Sequence, residues 1–112
     1  MTKNKIIIST DKSPKAIGPY SQAIGVKMDS NIIYTSGQIP LNPKTGKLIS
    51  DDFGEQVMQT LDNIRGILEN RNCSLNNIIK LTVYMIDLSN FDQLNTIFQN
   101  YWEKAELSDY PA

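Results

Sequence analysis

Apolar residues gather in short runs over the first third of the chain and in helical stripes after it. Residues 5–9, with Ile6-Ile7-Ile8 at their centre, are predicted as a first strand that the polar stretch Thr10-Asp11-Lys12-Ser13-Pro14 ends. The strong turn signal Gly18-Pro19 precedes a second strand over residues 20–28, and residues 27–31 supply the hairpin to a third. That third strand is β-branched and aromatic (Ile32, Ile33, Tyr34, Thr35) and stops at Ser36-Gly37. Pro40 and Pro43 stiffen the chain beyond it, and Thr45-Gly46 closes a turn.

Beyond the turn the period changes. Phe53, Val57, Leu61, Ile64 and Leu68 are spaced by four, four, three and four, one apolar stripe of a helix running to about residue 70. Asp51 and Asp52 provide its cap and first-turn acid, while Gln56, Gln59, Asp62, Asn63 and Arg65 crowd the other side. Asn72-Cys73-Ser74 is the helix exit, and residues 78–86 read as a fourth strand. There Leu81, Val83 and Met85 alternate with Thr82, Tyr84 and Ile86, so both faces are expected to be covered. Asp87-Leu88-Ser89-Asn90 caps a second helix from Phe91 to about Lys104, whose packed face is Phe91, Leu94, Ile97, Phe98, Tyr101 and Trp102. The order β-β-β-α-β-α, with no repeat or linker, puts the helices on one face of a sheet. The other face must be buried elsewhere, so an oligomer is expected.

Composition narrows the chemistry. At 112 residues the chain makes one domain, and a net charge of −1 with scattered basic residues gives no electrostatic footprint for nucleic acid. The apolar run after Met1-Thr2-Lys3-Asn4-Lys5 is too short for a signal peptide, and no run approaches bilayer length. A single cysteine, Cys73, forms no internal disulfide, which fits a reducing cytoplasm. The absence of histidine removes Ser-His-Asp and Cys-His catalysis and most zinc sites. Neither Gly37 nor Gly46-Lys47 is spaced as a phosphate loop. An enzyme built from this chain works with carboxylates, hydroxyls, amides and backbone groups, without metal or other cofactor.

Within those limits four positions stand out. The end of the third strand at Ser36-Gly37 exposes backbone groups beside a hydroxyl, a floor for a small polar ligand or an ordinary strand exit. Tyr20, aimed by Pro19 out of its turn, is either half-packed with a solvated hydroxyl or turned to a ligand. Asn95 interrupts the second helical stripe, as a flank amide or as a fixed amide reaching the Ser36-Gly37 strand end. Cys73 has no basic neighbour in sequence to activate it and reads as a bystander thiol.

Several blocks occur together, in order: Ile17-Gly-Pro-Tyr-Ser-Gln22, Ser36-Gly-Gln-Ile-Pro-Leu-Asn-Pro-Lys-Thr-Gly46, Leu61-Asp-Asn-Ile64, Lys80-Leu-Thr-Val-Tyr84, Asp87-Leu-Ser-Asn-Phe91 and Tyr110-Pro-Ala112. Through them the chain closely resembles the RidA (YjgF-type) family of reactive-intermediate deaminases over essentially its whole length. The resemblance implies an α+β, chorismate-mutase-like (YjgF-like) fold, a mixed sheet with two helices packed on one face. It also implies a cytoplasmic homotrimer with sites at subunit interfaces. The implied reaction is cofactor-independent hydrolysis of 2-enamine and 2-imine intermediates (2-aminoacrylate/2-iminopropanoate, 2-iminobutanoate) to 2-oxo acids and ammonia. Carried over residue by residue, Tyr20 resembles the family's site tyrosine and Ser36 and Gly37 its strand-end pair, with the Gly37 carbonyl accepting from the substrate nitrogen. Asn95 resembles the helix amide lining the substrate-binding pocket.

The departure lies at residue 112. In the family Pro-Ala is followed by the arginine that clamps the substrate carboxylate, and then by a closing strand bearing a glutamate assigned to water handling. The 112 residues stop at Ala112, before that arginine, so residues 1–112 are expected to form a single family domain without its closing strand. Two readings are open: a deaminase whose sequence continues into the arginine, or a non-catalytic small-molecule-binding or interaction protein of the same fold. Intact mass separates them, a value near 12.6 kDa favouring the second.

Overall fold

A computed structural model describes residues 4–112; Met1, Thr2 and Lys3, at the start of the N-terminal stretch, lie outside the described residues. Two strands, β1 (Lys5–Ile8) and β2 (Ala23–Val26), pair antiparallel, with Lys5 opposite Val26 and Ile8 opposite Ala23. Both are shorter than their β-prone runs. Pairing extends one bond further, from the Lys27 N–H to the Asn4 carbonyl at 3.0 Å, before the chain turns at residues 27–30. The turn predicted at Gly46 forms, with φ +69°, a conformation that glycine enters without a Cβ clash. It closes a bridge between Leu41 and Leu48.

Two helices carry the core. Helix α1 spans Phe53–Glu69, and Asp52 caps it by accepting from the Glu55 N–H at 2.9 Å. Its predicted stripe is the buried face: Leu61 and Leu68 are inside, and Phe53, Val57 and Ile64 pack around them. Helix α2 spans Phe91–Lys104 and buries Leu94, Phe98 and Trp102. It is entered through a single 3-10 turn, Leu88–Asn90, capped by Asp87. Phe91, expected on the packed face, is 53% exposed, because it begins α2 a full turn before the core. Trp102 is the centre of the assembly. It is 1% exposed, flanked by Phe98 and Tyr110, and its Nε1–H donates to the Asp109 carbonyl at 3.0 Å.

Both helices stop in the same way. Asn72 (φ 59°) and Glu106 (φ 57°) take the left-handed conformation, and the N–H of the next residue reaches back five positions. Those bonds are Cys73 to the Leu68 carbonyl at 3.0 Å and Leu107 to the Trp102 carbonyl at 2.9 Å.

The stretches predicted as third and fourth strands, 32–35 and 78–86, carry no strand ladder among the described residues. Their composition favours extension, but a strand also needs a neighbour for its backbone groups. Part of 78–86 has one. The Ala112 N–H donates to the Ile79 carbonyl at 2.9 Å and the Leu81 N–H to the Ala112 carbonyl at 3.1 Å, the pattern of a parallel pair around Lys80. On its other side the 110–112 segment is held by the Ser21 N–H, which donates to the Pro111 carbonyl at 2.9 Å.

Candidate functional site

The inner faces of α1 and α2 and the two irregular stretches enclose an open hollow of about 1600 Å³. Leu61, Leu68, Leu94 and Phe98 form its apolar floor, and residues 30–40 and 77–85 its walls. Ser36 and Gly37 lie on one wall, both exposed, with the Ser36 carbonyl accepting from Gln38 Nε2 at 3.3 Å. A Cβ built at Gly37 would meet no atom of the described residues within 4 Å. The Ser30 hydroxyl, buried at the same wall, has no hydrogen-bond partner among the described residues.

The chain leaving Gly37 is fastened to α1 by a residue whose sequence position suggested only a solvated face. Asn63 Nδ2 donates to the carbonyls of Ile39 at 3.2 Å and Leu41 at 3.0 Å, and Gln59 Nε2 donates to Asn63 Oδ1 at 2.8 Å. An amide pair at i, i+4 on the flank of an apolar stripe was the available signal. Asn76 plays a similar part at the opposite end. Its Oδ1 accepts from the Ser108 and Asp109 N–H groups, each at 3.0 Å, and its carbonyl accepts from Lys5 Nζ at 2.5 Å. Burial lowers the pKa of the Lys5 ammonium, partly opposed by attraction to Asp109.

Lys5, Arg71 and Lys80 are the cationic side chains along the hollow among the described residues. Cys73 lies at its edge, half-buried against the core, its Sγ–H donating to the Arg71 carbonyl at 3.5 Å. No three His, Cys, Asp or Glu side chains among the described residues gather where a metal could be held.

Tyr20 and Asn95 meet elsewhere. The Tyr20 hydroxyl accepts from the Ile17 N–H at 3.3 Å, and its N–H donates to the Gly18 carbonyl at 2.8 Å. A Cβ at Gly18 would stand 3.5 Å from the Tyr20 ring and 3.6 Å from Asn95 Nδ2, so phenol and amide converge on that glycine. Neither lines the hollow of its own chain. One chain thus brings together Tyr20 with Asn95, and Ser36 with Gly37, as two separate pairs.

Comparison with known proteins gives these pairs a setting. A family model described as Endoribonuclease L-PSP matches residues 10–112. The human protein named 2-iminobutanoate/2-iminopropanoate deaminase is 41% identical over 106 residues, 95% of this chain and 72% of its own. The solved structure of the YjgF gene product from E. coli aligns with a TM-score of 0.68 at 39% identity, covering 96% of this chain and 80% of that one. E. coli TdcF, solved with bound serine, aligns with a TM-score of 0.67 at 36% identity, over 96% of this chain and 80% of its own. The fold is therefore the YjgF-like one, and the chain belongs to the RidA/YjgF (L-PSP) family.

Proposed function

We propose that the protein hydrolyses reactive 2-imino acids and their enamine tautomers, 2-iminopropanoate and 2-iminobutanoate, to 2-oxo acids and ammonia. Water oxygen adds to the imine carbon, the carbon–nitrogen bond breaks, and nitrogen leaves with the added protons as ammonia. No electrons leave the system, so no redox cofactor is required. Gly37 accepts the substrate N–H at its carbonyl, with Ser36 beside it, and Tyr20 and Asn95 close the cavity from a neighbouring copy.

The observation that carries this reading is Gly37. Among the described residues no atom stands within 4 Å of the missing Cβ, and the Gly37 φ is not left-handed. A bare backbone on an open wall suits close approach of a substrate or a second copy to the Gly37 carbonyl. The assembly we propose is a homotrimer with shared sites. Two features support it: the Tyr20–Asn95 pair lies off the hollow, and the walls leave large apolar side chains uncovered, Tyr34 at 90% and Tyr84 at 92% exposure. The activity for which the human relative is named supports the substrate class, and the serine on TdcF supports a site for a small amino-acid-like molecule.

The decisive experiment measures ammonia release from freshly generated 2-aminoacrylate. Acceleration by the folded protein is expected, and none at all overturns the reading. Gly37→Val is expected to keep stability within about 0.5 kcal/mol, because its Cβ stands in open space. Ammonia release should fall at least tenfold, and an active Gly37→Val variant removes Gly37 from the site.

A further inference from the structure

The loop that carries Tyr20 is held at both ends by side chains unrelated to the reacting groups. It joins β1 to β2 across residues 9–22, and its last residue, Gln22, uses every polar atom of its carboxamide on the loop's first half. Gln22 Oε1 accepts from the Thr10 N–H at 2.7 Å. Gln22 Nε2 donates to the carbonyls of Pro14 at 2.7 Å and Thr10 at 3.1 Å, with a longer approach to Ser13 at 3.4 Å. Only an amide supplies an acceptor and two donors on one planar group, and only in this orientation. Glutamate would set a second oxygen against carbonyls, and asparagine is a methylene short.

The neighbouring residue fixes the other side. Ser21 donates from its N–H to the Pro111 carbonyl at 2.9 Å and from its hydroxyl to the Tyr110 carbonyl at 2.5 Å. Residues 15–20 therefore hang between one fastening at Pro14 and another at Ser21. Inside that span the Ile17 N–H donates to the Tyr20 hydroxyl, so the direction of the phenol depends on the path of the chain from Pro14. Released at Gln22, the free span would run back to the end of β1, with many more conformations open to it.

We propose that Gln22 is a positioning residue for the deamination: its carboxamide folds residues 10–14 onto the start of β2 and so sets where Tyr20 stands. This rests on the deaminase reading above, with Tyr20 in the site. Gln22→Met keeps the length and removes all the hydrogen bonds. It should lower kcat about tenfold while KM changes less than threefold. In a Tyr20→Phe background the same substitution should cost less than twofold, because its effect passes through the phenol. Gln22→Glu should recover activity relative to the parent as pH falls towards about 4, where an ordinary carboxyl takes up its proton and returns one donor, whereas Gln22→Met should show no such recovery. An equal loss from Gln22→Met in both backgrounds, or no loss in either, overturns the proposal.

A readout independent of catalysis accompanies these. Trypsin should cut after the exposed Lys12 and Lys15 at least tenfold faster in Gln22→Met than in the parent, and equal rates overturn the clasp itself. A parent protein that releases no ammonia overturns the deaminase reading instead, and the trypsin rates still decide whether the carboxamide holds the loop.

Discussion

The two irregular stretches are richer in apolar residues than the two helices, yet it is the helices that bury theirs. In α1 and α2, Leu61 is 2% and Trp102 1% exposed, whereas Tyr34, Tyr84 and Ile86 stand at 90%, 92% and 109%. A helix satisfies its own backbone and needs only an apolar surface to lie against. A segment of strand composition needs a neighbour for its N–H and C=O groups before its side chains can be buried. Of the two irregular stretches, only residues 79–81 find part of such a neighbour among the described residues, at Ala112. The helical core is therefore closed among the described residues, whereas the wall that carries Ser36 and Gly37 leaves large apolar side chains uncovered.

That contrast can be broken deliberately. The largest effect is expected in the helical half: Trp102→Ala removes the central ring and should cost about 3–5 kcal/mol, comparable to the stability of a small domain. Denaturant unfolding followed by circular dichroism checks it, and a loss under about 1 kcal/mol would mean the two helices are not held by this side chain. In the other half the same kind of change should act on assembly instead. Ile86→Asp should leave the fold intact but shift the proposed homotrimer towards monomer by at least tenfold in association. Sedimentation at micromolar concentration reads this. An unchanged distribution would place the contact away from residues 84–86.

A smaller effect comes from alkali. Burial holds the hydroxyls of Tyr101 and Tyr110 above the ordinary tyrosine value of 10.0, helped at Tyr101 by its 2.6 Å bond to Asp62 and at Tyr110 by Glu103. The folded form keeps these protons to higher pH than the unfolded chain, so stability is fully present below pH 10 and falls as pH rises past it. Lys5 works the other way, its lowered pKa relieving a burial cost as pH rises towards 10.5. Replacing both tyrosines by Phe should therefore flatten or reverse the alkaline slope, and an unaltered slope would assign it to other groups. The smallest change expected is a gain. Glu106 occupies a left-handed position that disfavours a side chain, so Glu106→Gly should stabilise by about 0.5–1 kcal/mol, read as a raised Tm.

How much of this was legible along the chain depends on how far apart the interacting groups lie. The stripe Phe53, Val57, Leu61, Ile64, Leu68, the Asp52 cap and the Gly46 turn involve partners within a few residues, and all three were readable. Ser36, Gly37, Tyr20 and Asn95 were singled out by residue type and family resemblance, but how they group in space was not readable from spacing. Gln22 and Asn63 gave weaker signals still, because an amide's value is set by what faces it, and their partners lie 8–12 and 22–24 residues away.

Sequence alone determined the two helices, the Asp52 cap, their buried faces apart from Phe91, and the family blocks, because helix hydrogen bonds run to the fourth residue and a turn is settled by its own φ angles. Tertiary structure decided which of the β-prone runs gained a partner. It also decided that phenol and amide meet at Gly18, away from the wall that carries Gly37. Those outcomes depend on groups brought together across tens of residues, and no local period encodes such a distance.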